Sequence, residues 1–299
     1  MKFKVLVSGL VAAFFVASAA PSLAADPKFV LPEAARAAPD GRALQILVGQ
    51  EEIKSDINPS NVSVAMGGGM LAALIDAKIQ ADRAKAAEIA IQPVRVALAG
   101  FDADTLATEA ANATLAKLPW FQASPITLGR DTSSPGRIAV LDAGGGQTAF
   151  FTYAYDMSPD FSAVRVSVTI QIVNKAIPEG KSPESRFTLR NLVFTQTVTS
   201  IVVLPNPSTV AVDNANVWSA DGGKLARQAL TTAFAELGVL TPRVFDLTAV
   251  DAKAMMGKTH KYVMLGGYGG RDQGQVDGGT LMFNGGLGGF IHVQTLTPQ

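Results

Sequence analysis

The chain has 299 residues, with 25 basic and 25 acidic side chains and no cysteine. The balanced charge argues against nucleic acid as a partner, and the absence of thiols excludes disulfides and thiolate metal sites. Because 48 % of the residues are apolar and 17 % are charged, we expect a folded protein with a fairly neutral surface.

The first 24 residues have the three-part layout of a secretory signal peptide. Two lysines precede an apolar run over residues 5–20, and the small side chains of Ser22 and Ala24 suit a cleavage site. We therefore predict cleavage after Ala24 and export to the periplasm or the extracellular space. Loss of residues 1–24 removes two basic and no acidic side chains, which leaves a formal net charge of −2. No transmembrane span is expected in the cleaved chain.

Residues 25–42 are predicted to form a disordered leader, because three prolines and an Asp-Gly pair interrupt them. The fold is expected to begin with a strand over residues 43–49. Leu44, Ile46 and Val48 recur there at every second position, which is the period of a strand.

Helices are predicted over most of the following region. An alanine-rich segment over residues 70–91 indicates a buried helix, and Pro93 starts or kinks a second short helix that Gly100 ends. A third helix is predicted over residues 105–117. Together with the first strand, these helices form a predicted region over residues 43–123.

An apolar cluster follows the third helix at its proline stop. It consists of Leu118, Trp120 and Phe121. Two adjacent aromatic side chains beside a helix end either close a hydrophobic core or dock a partner. We take these three residues as the candidate interaction surface, with burial in the core as the alternative.

The pattern changes from helical to alternating after a loop over residues 124–136, which is the candidate seam between two domains. A short strand is predicted over residues 137–141, followed by strands over residues 148–155 and 164–172. In the last of these, aliphatic side chains alternate with polar ones. Such alternation is typical of antiparallel sheets with one solvated face.

The rest of the chain continues this region to its end, so a second unit is predicted over residues 137–299, which can form one domain with the first. The hydrophobic phase shifts near Arg190 or Asn191, which indicates a β-bulge. An amphipathic helix is predicted over residues 221–237. Short strands follow between glycine-rich turns, over residues 262–265, 280–283 and 290–293.

These patterns predict an α+β fold. We expect a helical N-terminal half, an antiparallel β-meander packed by helices, and a glycine-rich C-terminal β segment.

Catalytic and metal-binding motifs are not evident. The two histidines, His260 and His292, lie 32 positions apart, and no Gly-x-Ser-x-Gly elbow accompanies them. A zinc site would need acidic ligands that no spacing identifies. The glycine-rich segment over residues 266–272 departs by one position from the calcium-binding nonapeptide. We therefore predict no catalytic residue, no metal and no cofactor.

The sequence favours an exported, non-enzymatic cell-envelope protein that acts as a binding or assembly module. Its predicted partner is an envelope protein or another envelope component. The alternative is an exported hydrolase that uses carboxylate or serine chemistry. That alternative predicts a concave site where one histidine meets Asp246, Asp251 or Asp272.

Overall fold

The computed structural model describes residues 29–38, 40–57, 70–285 and 289–297. The predicted signal peptide lies outside these ranges. The described residues form an α+β fold with six helices and a ten-stranded mixed sheet.

The helices and strands are numbered in chain order. The helices are α1 (Glu33–Ala37), α2 (Met70–Ala97), α3 (Ala103–Ala116), α4 (Ser134–Ala143), α5 (Ala211–Phe245) and α6 (Ala249–Met255). The strands are β1 (Arg42–Val48), β2 (Lys54–Ser55), β3 (Ile126–Gly129), β4 (Gln147–Met157), β5 (Ala163–Asn174), β6 (Phe194–Val203), β7 (Tyr262–Leu265), β8 (Tyr268–Val276), β9 (Gly279–Asn284) and β10 (Gly289–Thr295).

The sheet has the strand order β3-β1-β4-β5-β6-β10-β9-β8-β7, and β2 pairs with one end of β4. Strands β4, β5 and β6 form the predicted antiparallel meander, and β7 to β10 are antiparallel to one another. Four further pairings are parallel: β1 with β3, β1 with β4, β2 with β4, and β6 with β10. The sheet is therefore mixed and not purely antiparallel.

The prediction of a helical N-terminal half is wrong, because the helices lie mostly in the middle of the chain and strands come before and between them. The segment 137–141, predicted as a strand, belongs to helix α4. Ser133 caps this helix by accepting a hydrogen bond from the Gly136 amide, 3.3 Å away, and a proline lies in its first turn. The periodicity of a short apolar run does not distinguish a strand from a helix, and here the N-terminal cap favours the helix.

Helices α3 and α5 and the C-terminal end of α2 cover one face of the sheet. Val166, Val168 and Ile170 of β5 are fully buried in this core. Gly238 allows a close crossing of α5 over α3, because a Cβ atom at this position would lie 2.9 Å from Ala113 Cβ. The sequence predicts that Gly238 ends its helix, but it lies within α5.

The opposite face of the sheet carries two smaller apolar clusters. Helix α4 packs with Phe150 at one end, and the β7–β8 hairpin packs with Ile201 at the other. Between them, polar side chains of the central strands are half-buried, and the Thr169 and Thr197 hydroxyl groups lie 3.1 Å apart. These polar side chains lie on the face opposite the main core, as the alternation of aliphatic and polar residues in β5 predicts.

Helix α2 is longer and more exposed than its sequence predicts. It continues through Pro93, and none of its residues from 75 to 90 is buried. Ile91 and Val94 are fully buried, so from residue 75 onward the helix is buried only toward its C-terminal end. Within the described ranges, no helix combines the length and apolarity needed to cross a membrane.

Helix α5 contains a break between Ala220 and Gly223, where three successive residues have left-handed backbone angles. Gly223 packs against Ala97 at the end of α2. Arg227 donates hydrogen bonds to the carbonyl oxygens of Ala97 and Ala99, at 2.8 and 2.9 Å. The break therefore brings α5 close enough for Arg227 to bind the carbonyl groups at the C-terminal end of α2.

The predicted bulge near Arg190 is instead a connection between separate elements. A 3₁₀ helix over Pro183–Phe187 and a turn precede strand β6. The phase of the apolar residues shifts because the residues before the turn belong to the 3₁₀ helix and not to strand β6. In the C-terminal region, the predicted strands correspond to β7, β9 and β10, and the glycine-rich strand β8 was not predicted.

Candidate functional site

The three residues of the candidate interaction surface lie between helix α3 and strand β3. Leu118 and Phe121 are buried in the main core, with exposed fractions of 2 % and 4 %. Trp120 is half-buried, and its ring centroid lies 5.4 Å from that of Phe121 and 5.8 Å from that of Phe245. Trp120 is therefore the member of this cluster that lines the surface. A partner for the cluster stays a prediction.

Part of the predicted disordered leader packs beside this cluster. Helix α1 lies within residues 29–38, and Leu31 is buried in the main core. The Arg36 Nη2 atom donates a 2.7 Å hydrogen bond to the carbonyl oxygen of Phe245 at the end of α5. An apolar side chain and an arginine thus anchor a proline-containing segment.

An open cavity of about 630 Å³ is lined by helix α1, the start of strand β1 and Trp120. The cavity has a polar part, formed by Arg36 and Arg42, and an apolar part, formed by the Trp120 ring. Its lining residues are Glu33, Arg36, Ala37, Ala38, Gly41, Arg42, Trp120 and Gln122. We call this the Trp120 cavity.

Arg36 lies on one side of the Trp120 cavity and has acidic partners. Its guanidinium carbon is 4.7 Å from the centroid of the Trp120 ring, within the range of a cation–π contact. Its Nε atom lies 3.1 Å from Glu33 Oε2, and its Nη1 atom lies 3.7 Å from Asp246 Oδ1. The charge of Arg36 is therefore balanced by carboxylates of the protein.

Arg42 begins strand β1 in the wall of the cavity, and its exposed fraction is 2 %. Its Nε and Nη2 atoms donate to Gln147 Oε1, at 3.0 and 2.8 Å, and Nη2 also donates to the carbonyl oxygen of Ala35. All these acceptors are neutral. The guanidinium carbon lies 4.5 Å from the Phe121 ring centroid and 5.5 Å from that of Trp120.

The charge of Arg42 has no acidic partner among the residues that the structure describes, and its buried Nη1 atom has no hydrogen-bond acceptor there. Burial lowers the pKa of Arg42 to about 10, because desolvation disfavours the charged form. The guanidinium still carries its charge at neutral pH.

Sequence reasoning missed both arginines of this cavity. A usable signal exists for Arg42, which lies two positions before Leu44 and therefore on the core-facing side of β1. A charged side chain in that phase of a strand indicates a buried charge. No comparable signal exists for Arg36, which was expected in a disordered leader.

The two histidines lie far apart in the C-terminal region and contact backbone carbonyl oxygens. His292 has no exposed surface, and its Nε2 atom donates to the carbonyl oxygen of Val276 at 2.8 Å. The Nδ1 atom of His260 lies 2.9 Å from the carbonyl oxygen of Asp272. Both of these hydrogen bonds are therefore to the backbone and not to a carboxylate side chain.

The acids predicted for a hydrolase site have other contacts. Asp251 forms a capping box with Thr248 at the start of α6, and Asp246 faces Arg36. The acid next to His292 is Glu236 of α5, whose Oε1 atom lies 3.5 Å from His292 Nδ1. Burial raises the pKa of Glu236.

The described part of the chain contains no cluster of three or more histidine, aspartate or glutamate side chains that could hold a metal ion. Comparison of the chain with known proteins found no matching family model, no matching curated protein and no matching solved structure.

Proposed function

We propose that this protein is an exported, non-enzymatic cell-envelope protein that acts as a binding or assembly module through the Trp120 cavity. The observation that carries the proposal is the pairing of a half-buried tryptophan with a buried arginine that has no acidic partner in the described structure. Aromatic rings and arginines are enriched at sites that bind partners. The partner is an envelope protein or another envelope component.

Export is supported by the layout of residues 1–24 and by the cysteine-free composition, which makes folding independent of the redox state of the compartment. Mass spectrometry of the purified protein tests this part of the proposal. We expect an N-terminus at Ala25. Recovery of the intact Met1 end from an envelope fraction would contradict cleavage.

The alternative, an exported hydrolase, draws its support from the contact between His292 and Glu236. Full burial of His292 weakens it, because a general base must reach a proton of the substrate. Its Nε2 atom is also engaged with a backbone carbonyl group. The open Trp120 cavity therefore supports the binding function better.

Site-specific photocrosslinking in intact cells tests the binding function. Gln122 is exposed at the cavity and is a suitable position for a benzophenone amino acid. Val250, with an exposed fraction of 77 %, provides the matched control on helix α6. We expect a discrete crosslinked species from position 122 that is missing from position 250. Identical products from both positions would refute a role for the cavity.

A further inference from the structure

We infer that Glu236 and His292 form a proton-dependent latch that holds strand β10 against helix α5. His292 belongs to β10, which joins the meander to the C-terminal hairpins because it lies between β6 and β9. Glu236 belongs to α5, which packs on β10. We expect the latch to hold while the Glu236 carboxyl group is protonated and to loosen when the proton is lost. The inference is independent of the Trp120 cavity, because neither residue lines that cavity.

The first argument concerns the burial of the imidazole ring. His292 has no exposed surface, and its Nε2 atom donates a 2.8 Å hydrogen bond to the carbonyl oxygen of Val276 at the end of β8. Gly279 makes room for this contact, since a Cβ atom at that position would lie 2.6 Å from Nε2. The contact places the proton of a neutral imidazole on Nε2, which leaves Nδ1 as a hydrogen-bond acceptor.

The second argument concerns the other ring nitrogen. His292 Nδ1 lies 3.5 Å from Glu236 Oε1, and both atoms are buried without a hydrogen-bond partner in the described chain. Ser200 lies opposite His292 on β6, but its buried hydroxyl group is also without a partner there, so it does not supply a donor. An ionised carboxylate has no hydrogen to donate and would face the lone pair of Nδ1. A protonated carboxyl group has an O–H that can donate to Nδ1 and satisfy both atoms.

The third argument concerns the location of the proton. The exposed fraction of the Glu236 side chain is 13 %, and burial raises the pKa of this carboxyl group. A charge on His292, Arg243 or Lys117 opposes the rise, and Asp277, in the turn between β8 and β9, adds to it. A buried neutral pair avoids the desolvation cost of two ions, so we place the proton on Glu236.

The direction of the pH dependence follows from the raised pKa of Glu236. The folded protein binds the carboxyl proton more tightly than the unfolded chain, in which a glutamate titrates near pH ~4.3. The stability that the latch contributes is therefore complete below that pH and is lost as the pH rises through the folded-state pKa. Loss of the proton then weakens the attachment of β10 and of the hairpins that pair with it.

Urea unfolding of the exported full chain tests the inference, with Glu236→Gln as the main variant. The amide of glutamine can donate to Nδ1 at every pH, so this variant should lack the pH dependence of the latch. We expect the folding equilibrium constant of the natural chain, relative to that of the variant, to fall at least about threefold between about pH 4.5 and 7.5. Equal pH dependence in both proteins would overturn the inference.

The matched control is Glu109→Gln, which changes an exposed glutamate of helix α3 in the same way. This variant should keep the pH dependence of the natural chain. Loss of the pH dependence in the control as well would assign the effect to the overall charge and would refute the latch.

A spectroscopic measurement separates the latch from a merely structural contact. The chain has two histidines, so ¹⁵N-labelled protein gives two sets of imidazole signals, which a His260→Gln variant assigns. At about pH 6 we expect a neutral His292 ring with its proton on Nε2. Its Nδ1 signal should shift as Glu236 loses its proton, and Glu236→Gln should abolish that shift. An imidazolium signal for His292, or an Nδ1 signal that is constant with pH, would place the proton elsewhere and refute the assignment.

Hydrogen exchange keeps the inference testable if Glu236→Gln does not fold. In the natural chain, the amides of β10 should lose protection between about pH 5 and 8, after correction for the intrinsic effect of pH on exchange. We expect this loss to be at least about threefold larger than that of strand β5, which has no contact with the latch. Equal changes in the two strands would show that the pair does not act locally on β10.

Discussion

The Arg165 cluster and the Trp120 cavity show two ways to bury an arginine in one protein. Arg165 lies between Asp56 and Asp156, and its guanidinium carbon is 5.0 Å from the Tyr268 ring centroid. Arg42 also lies against aromatic rings, those of Phe121 and Trp120, but it has only neutral hydrogen-bond acceptors. The first arginine has carboxylate partners in the described chain, whereas the second has none there. The comparison indicates that Arg165 is held by charge pairing, whereas Arg42 is held by neutral hydrogen bonds and ring contacts.

Replacement of Arg165 by methionine should have the largest effect on stability. The variant keeps the length of the side chain but leaves Asp156 and Asp56 without their cation. We expect a loss of about 2–3 kcal/mol in the free energy of unfolding, less than for a fully buried pair because both carboxylates are partly exposed. Urea unfolding followed by circular dichroism measures it. A loss below about 0.5 kcal/mol would mean that the cluster contributes little.

The same variant should show a pH-dependent loss. Burial raises the pKa of Asp156 above its ordinary value, and Arg165 opposes that shift. Without Arg165 the pKa rises further, so the folded variant binds the proton more tightly than the unfolded chain over a wider range. Stability then falls as the pH rises through that range. We expect a larger deficit at pH 7.5 than at pH 4.5, and a constant deficit would contradict this account.

Replacement of Arg42 by methionine should cost about 1 kcal/mol, less than the change at Arg165. The variant loses hydrogen bonds to Gln147 and Ala35 but also removes an uncompensated buried charge. Since no carboxylate of the described chain pairs with Arg42, the loss should not vary between pH 4.5 and 7.5. Urea titrations at both pH values measure it. A loss as large as that of the Arg165 variant would end the distinction between the two sites.

The smallest effect is expected for Tyr268→Leu, which removes the ring beside Arg165 and keeps an apolar side chain. We expect a loss of about 0.5–1 kcal/mol from the cation–π contact. Thermal unfolding measures the change, with the same replacement in the Arg165→Met background as the control. Equal losses in both backgrounds would assign the effect to packing or β-propensity and not to Arg165.

The sequence predicts the parts of the fold where one period is unambiguous. Strand β5 alternates over residues 164–172, and helix α3 is bounded by a capping aspartate, Asp102, and by Pro119. The prediction from sequence fails where tertiary contacts determine the secondary structure. Strand β8 is rich in glycine and depends on pairing with β7 and β9. The apolar side chains of helix α2 between residues 75 and 90 are exposed or only partly buried, which their helical pattern does not reveal.

The candidate site is predictable only in part. Trp120 stands out in the sequence because an apolar cluster at a helix end must either pack or bind. The two arginines of the cavity, Arg36 and Arg42, lie in the predicted leader and at the start of the first strand. They come roughly eighty positions before Trp120, and no local pattern links them to it. Only folding brings α1 across the end of the core.

The position of strand β10 also determines the order in which the molecule is completed. This strand follows all the others in the described chain, yet it lies inside the sheet, between β6 and β9. Until residues 289–295 are available, the C-terminal hairpins cannot join the meander, and both flanking strands keep unpaired backbone groups. A nascent chain would therefore keep these two strand edges unpaired until late in synthesis. For the export proposed above, such a delay would keep the sheet open while the polypeptide crosses a narrow translocation channel.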